Sequence, residues 1–210
     1  MNRLHLFILL FAASSLLFQF PPGAFAVNDI SATDSATDGE NGFTELDGAF
    51  GVDTFTIGSS TYAIVASEDD NGIQIIDISD PENIVAKVSV NDDDEDENGD
   101  DLEVLDGAIG VDTFVIDSST YAIVAAYSDN GVQVIDISDP TKIYAADATL
   151  DGENGFTYLR QPTDVDTFVI GSSTYAIVVG HATLGAVQII DITDPENLSL
   201  IHISEPTRPY

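Results

Sequence analysis

Tyr62-Ala63-Ile64-Val65-Ala66, followed by Asn71-Gly72-Ile73-Gln74-Ile75-Ile76-Asp77-Ile78-Ser79-Asp80-Pro81, is the stretch on which the reading of this 210-residue chain turns. In extended backbone Tyr62, Ile64 and Ala66 share one face, and Ala63 and Val65 share the other. Both faces are apolar, which suits a strand covered on two sides. Asn71-Gly72 punctuates the chain before a second apolar run. Asp80-Pro81 then stops that run, because proline has no N–H to donate to a ladder.

Working outward, Val52 to Ile57 is rich in strand formers and ends at Gly58-Ser59-Ser60, a hairpin signal. On the far side, Ile84 to Val90 puts Lys87 and Ser89 on one face, the pattern of a half-exposed outer strand. The unit therefore reads as four strands. It then repeats. Val52-Asp53-Thr54-Phe55 returns at Val111 to Phe114 and at Val165 to Phe168, and Tyr62 returns as Tyr121 and Tyr175. A lead-in repeats as well, Asp38-Gly39-Glu40-Asn41-Gly42-Phe43-Thr44 matching Asp151 to Thr157 at every position. No stretch carries a helical period of useful length. Four strands per unit of roughly 55 residues is the period of a propeller blade, whereas the coils of a β-solenoid are shorter. The expectation is an all-β chain, a β-propeller arc of about three four-stranded blades, truncated from a larger propeller. Propellers carry four to eight blades.

Tyr-Ala-Ile-Val-Ala followed by Asn-Gly-Ile-Gln-Ile-Ile-Asp-Ile-Ser-Asp-Pro resembles the LVIVD-repeat family of secreted and surface β-propellers. The resemblance covers roughly Phe43 to Asn197 in three copies. Its most specific element recurs at Ile135 to Pro140. The third copy departs slightly, with Thr193 in place of serine and one extra residue between Tyr175 and Gln188. The family implies a secreted or cell-surface binding or adhesion scaffold.

The ends read differently from the middle. Arg3, the apolar run Leu4 to Phe20, and the small-x-small site Ala24-Phe25-Ala26 form a secretory signal peptide over residues 1–26. Residues 27–37 are Ser/Thr/Ala/Asp-rich and read as a flexible entry segment. Residues 38–197 hold the repeats, divided at about 43–101, 102–155 and 156–197. Residues 198–208 break the pattern and resemble an in-frame translated sequencing-library adaptor, so 198–210 is expected to be a non-native tail.

Between the signal and that tail the chain carries 36 acidic side chains against Lys87, Lys142 and Arg160, hence a net charge of −33. Such a surface excludes nucleic acid and anionic membrane as partners. It leaves a protein or carbohydrate surface partner. Hydrophobic residues make up 44% of the chain, too many for a disordered acidic polymer. With no cysteine, the core alone must hold the fold.

For chemistry the chain offers little besides carboxylates. His5 lies in the signal and His202 in the tail, which leaves His181 in a loop. One histidine cannot build the usual catalytic zinc shell. The repeated Asp77, Asp136 and Asp191 stand among isoleucines and are expected to accept backbone N–H groups at a blade corner. Asp53, Asp112 and Asp166 open the first strand. They are expected either to make strand-start hydrogen bonds or to form part of a carboxylate ring that holds a cation. The acidic insert Asn91 to Asp101 is the sharpest candidate. Asp94-x-Asp96-x-Asn98-Gly99 matches the first half of a calcium loop, with Asp101 near the later ligand positions. The second half fails, since Leu102 and Leu105 occupy the ninth and twelfth positions. Calcium ligation by Asp94, Asp96, Asn98 and Asp101 is the metal expectation, set against a merely solvated charge run. The alternatives to a scaffold are a metal-dependent propeller hydrolase or lactonase with a central cation, and an acidic structural envelope or matrix component.

Overall fold

The computed structural model describes residues 32–200, apart from 97, 101 and 182–184. Residues 1–31, which include the expected signal peptide, and residues 201–210 lie outside the described residues. The described chain is built of strands, without a helix.

Twelve strands form three four-stranded antiparallel sheets. The first blade is β1 (Ala49–Ile57), β2 (Ser60–Ser67), β3 (Gly72–Asp77) and β4 (Val85–Asn91), hydrogen-bonded in that order. The second is β5 (Ala108–Ile116), β6 (Ser119–Ala126), β7 (Gly131–Asp136) and β8 (Tyr144–Leu150). The third is β9 (Pro162–Ile170), β10 (Ser173–Gly180), β11 (Ala186–Asp191) and the short β12 (Ser199–Leu200). These are the meandering blades of a propeller, one per sequence repeat. β12 falls inside the segment expected to be foreign to the chain, and it fills the fourth-strand place by pairing Leu200 with Ile190 and Ser199 with Asp191.

The sheets register identically. Phe55 faces Tyr62, Phe114 faces Tyr121, and Phe168 faces Tyr175. Their rings lie 5.4, 5.5 and 5.5 Å apart, so each cross-strand aromatic pair fixes the register of its hairpin. The hairpin itself closes through two residues, with Gly58 and Gly171 at positive φ. Asp117 takes the same left-handed conformation in the second blade, which aspartate tolerates better than most residues.

The core lies between blades rather than inside any one of them. The junction of blades 1 and 2 packs Tyr62, Ile64, Ile73 and Ile75 against Val124 and Ile135. The next junction repeats this with Ile123, Val132 and Val134 against Val178 and Ile190. A pair of lead-in side chains enters each junction, Leu102 and Leu105 in the first and Phe156 and Leu159 in the second. All four are buried to within 1% of complete. The matching residues of the first lead-in, Phe43 and Leu46, pack on the other face of blade 1 beside Ala63 and Ile76. In the entry segment, Asp34 accepts the Ile84 N–H at 2.8 Å and Ala36 joins this last cluster.

Candidate functional site

The first strands bring the repeated carboxylates Asp53, Asp112 and Asp166 into a row along consecutive blades. Each sits in mid-strand rather than at the strand start, because β1, β5 and β9 begin several residues earlier than the apolar pattern suggests. What these side chains do is visible in their bonds. Asp53 Oδ2 accepts the Thr113 N–H at 2.8 Å and also the Thr113 hydroxyl. Asp112 Oδ2 accepts the Thr167 N–H at 2.7 Å. Asp53 and Asp112 therefore each staple their own blade to the threonine of the next. Burial raises the Asp112 carboxyl above its ordinary value, the Thr167 bonds oppose this, and the charges of Asp53 and Asp166 push it further up. Of the two sequence readings, hydrogen bonding describes Asp53 and Asp112, although the partner is the neighbouring blade. A hint lay in the sequence: threonine follows this aspartate in all three copies.

A second tie between blades carried no such hint. Asn71, at positive φ in the β2–β3 turn, accepts the Gly107 N–H at 3.0 Å through Oδ1. Asn130 does the same for the Gln161 N–H at 3.1 Å. The blade corners are closed by the third aspartate set, as expected. Asp77, Asp136 and Asp191 accept the N–H groups of Ser79, Ser138 and Thr193 at 2.8–3.0 Å. Asp77 also meets Lys87 Nζ at 3.1 Å.

The acidic insert is organised around Asp96, which is 8% exposed despite its charge. Asp96 Oδ1 accepts the N–H groups of Asn98 at 2.7 Å and Asp100 at 3.0 Å. Its Oδ2 accepts the Ala145 N–H at 3.1 Å, which ties the insert to β8 of the second blade. Desolvation alone would raise this carboxyl, but the bonds from Asp100, Asn98, Ala145 and Gly99 outweigh it and hold the group below its ordinary value. Asp94 Oδ2 caps the Asn91 N–H at 3.0 Å, and Asn98 is exposed. Asp101 lies outside the described residues. Among the described residues, no three His, Cys, Asp or Glu side chains gather closely enough to hold a metal. Leu102 and Leu105, at the positions where a calcium loop needs oxygen ligands, are instead the buried wedge between blades. Beside the insert lies an open cleft of about 460 Å³, lined by Val88, Ser89, Val90, Asp94, Asp96 and Ile143 among others. His181 is exposed and is held by its own N–H to the Gln161 carbonyl at 2.8 Å.

Three like blades, joined by repeated side-chain staples and by lead-in loops that wedge between them, define a propeller-type repeat protein. The family model of the LVIVD repeat matches at two places, residues 59–92 and 118–146, in the first and second blades. No curated protein matches the chain. Solved structures similar to it include a thermostable family-43 glycoside hydrolase, at 10% identity and a TM-score of 0.45 over 70% of this chain and 51% of that one. A GH43 β-1,3-galactosidase with galactodeoxynojirimycin matches at 11% and 0.42, over 72% and 45%. The Bombyx mori GH32 β-fructofuranosidase matches at 12% and 0.43, over 76% and 38%. The chain thus spans about half the length of these structures, or less.

Proposed function

We propose that this chain is a secreted or cell-surface β-propeller scaffold that binds a protein or carbohydrate partner. The observation that carries the reading is the use to which the inner carboxylates are put. Asp53 and Asp112, the groups a metal-dependent hydrolase would need free at the axis, accept N–H groups from the adjacent blade. Their chemistry is spent on holding blades together, which leaves loop surface and the cleft beside the insert as contact area. LVIVD repeats favour the same role by family likeness.

The test is hydrolysis of a p-nitrophenyl ester and of a simple lactone, with and without calcium, alongside binding to an array of glycans and extracellular proteins. Saturable binding without turnover is the expected result. Calcium-dependent turnover lost in Asp53→Asn, Asp112→Asn and Asp166→Asn would overturn the scaffold reading in favour of the hydrolase. A narrower part of the proposal is that the acidic insert takes calcium as a loop-stiffening counter-ion. It is tested by melting in CaCl₂ against NaCl at equal ionic strength. An equal response to the two salts counts against it.

A further inference from the structure

The junction of blades 1 and 2 and that of blades 2 and 3 are built on one hydrogen-bonded frame but lined differently. At the first, Asn71 Oδ1 accepts the Gly107 N–H at 3.0 Å, Asp92 Oδ1 accepts the Leu105 N–H at 2.9 Å, and the Asn71 carbonyl accepts the Asp92 N–H at 3.0 Å. At the second, Asn130 Oδ1 accepts from Gln161 at 3.1 Å, Asp151 Oδ1 from Leu159 at 3.1 Å, and the Asn130 carbonyl from Asp151 at 2.8 Å. On this shared frame three residues change. Asn91, Asp106 and Gly107 of the first junction are replaced at the second by Leu150, Arg160 and Gln161.

The last replacement runs against backbone preference. Gly48 and Gly107 hold this position at φ 68° and 70°, whereas Gln161 holds it at 48°, in the left-handed region that a Cβ disfavours. A Cβ on Gly48 or Gly107 would meet the backbone nitrogen of Asp69 at 2.6 Å or of Ser128 at 2.9 Å. Blade 3 keeps the backbone tie made here, the His181 N–H to the Gln161 carbonyl at 2.8 Å matching the Tyr127 N–H to the Gly107 carbonyl at 2.9 Å. The glutamine therefore brings strain without a new structural bond. Strain of that kind collects at functional positions.

Leu150, Arg160 and Gln161, with Asp129, Asn130 and Asp151, line a cleft of about 470 Å³. Small-molecule sites span roughly 300–1,000 Å³. Asp129 Oδ2 and Asp151 Oδ1 are occupied by the Asp106 and Leu159 N–H groups. Among the described residues, the second oxygen of each carboxylate, the Arg160 guanidinium and the Gln161 side-chain amide make no hydrogen bond or ion pair. An anion in this cleft is opposed by two carboxylates and by the acidity of the whole chain, and a cation by Arg160. A hydroxyl both donates and accepts. Two neighbouring hydroxyls can thus donate to Asp129 Oδ1 and Asp151 Oδ2 and accept from Arg160 and Gln161, while Leu150 offers an apolar wall to C–H groups.

We infer that this cleft binds a neutral pyranose sugar through a pair of adjacent hydroxyls. The inference rests on the binding-scaffold reading and narrows its partner to a carbohydrate at one place. Titration calorimetry with the methyl glycosides of glucose, mannose and galactose tests it. Saturable binding of at least one is expected, with the matching uronic acid and amino sugar each about tenfold weaker. Arg160→Asp copies the acidic residue of the first junction at an exposed position. It is expected to keep the wild-type circular dichroism and to weaken the sugar about tenfold, the equivalent of losing one charge-assisted hydrogen bond. Gln161→Gly restores the residue of the other blades, so it should raise the melting midpoint and yet weaken the sugar, a combination that a purely structural glutamine would not give. Wild-type affinity in Arg160→Asp, or charged sugars binding as well as neutral ones, overturns the inference. So does a panel in which no glycoside binds; saturable binding of an extracellular protein by the same preparation would then leave the scaffold reading standing.

Discussion

The second and third lead-ins solve one problem with loops of different length. In the third, Asp151 Oδ1 accepts the Leu159 N–H across eight residues, and Phe156 and Leu159 drop into the junction of blades 2 and 3. The first lead-in copies it, Asp38 accepting the Leu46 N–H across eight residues. In the second, Asp92 Oδ1 accepts the Leu105 N–H across thirteen, and Leu102 and Leu105 take the wedge positions. Both anchors are kept while the longer loop bulges out between them, and the acidic run fills the bulge. Packing thus fixes the ends of the insert and leaves most of its charges to solvent. Among the described residues of the insert, Asp96 is the one that turns inward to hold Ala145.

The largest effect expected from this comparison is at the wedge. Leu105→Ala and Leu159→Ala each remove a fully buried side chain, and each should cost about 2–5 kcal/mol in urea unfolding. Near-equal losses would show that loop length is irrelevant to the wedge. A small loss at Leu105 alone would show the longer lead-in to be the looser one. Next is Asp96→Ala, which strips an acceptor from three backbone amides and should cost about 1–3 kcal/mol. The paired change Asp93→Asn with Glu95→Gln, at exposed positions of the same loop, should stay within about 0.5 kcal/mol. Equal losses in these two variants would refute the special place given to Asp96.

Acid titration sharpens the comparison further. Asp129 faces the second lead-in, and burial pushes its carboxyl up to about 6; the Asp106 N–H bond opposes this, and the charges of Asp92 and Asp106 reinforce it. A carboxyl raised in the folded state makes the fold bind more protons than the unfolded chain between about pH 4 and 6. Stability therefore falls as pH rises through that window, and the ionised group is a net cost above it. Asp129→Asn should raise the melting midpoint at neutral pH by an amount worth about 1 kcal/mol, given the partial exposure of the group. It should also flatten the slope between pH 4 and 6. Asp96 runs the other way. Its carboxyl is held low, so its contribution is present above the ordinary carboxylate value and disappears as pH falls through its depressed one. The smallest effect is that of salt identity on wild type: if the insert takes calcium as proposed, CaCl₂ should exceed NaCl at equal ionic strength by a margin that the Asp93→Asn/Glu95→Gln variant reduces.

Much of the architecture was legible in the residues because the repeat made each signal appear three times. The Tyr-Ala-Ile-Val run, the glycine or aspartate turn and the Asp-Pro stop each correspond to a strand or its end. The strand starts were less legible. Ala49 to Gly51 and Ala108 to Gly110 carry glycines that weaken a strand pattern, yet glycine is required there by the close approach of the next inner strand. The candidate site was legible as a set of carboxylates, each followed by a threonine, but not as ties between one blade and the next. Their partners are amide groups 55 to 60 residues away, and a backbone N–H leaves no mark in a sequence. In the sequence Leu102 and Leu105 stand only as failures of a calcium motif. The physical reason lies in the neighbouring blade, which needs two apolar side chains at that point.

The two-residue hairpins at the end of each inner strand have a practical consequence. A Cβ placed on Gly58 or Gly171 would meet nothing within 4 Å, so these tips are free of the packing that governs the rest of the blade. Such tips tolerate inserted sequence. A short peptide spliced after Ser59, Ser118 and Ser172 would be presented at the same structural address in every blade, making the chain a multivalent display frame in which copy number is set by the count of blades.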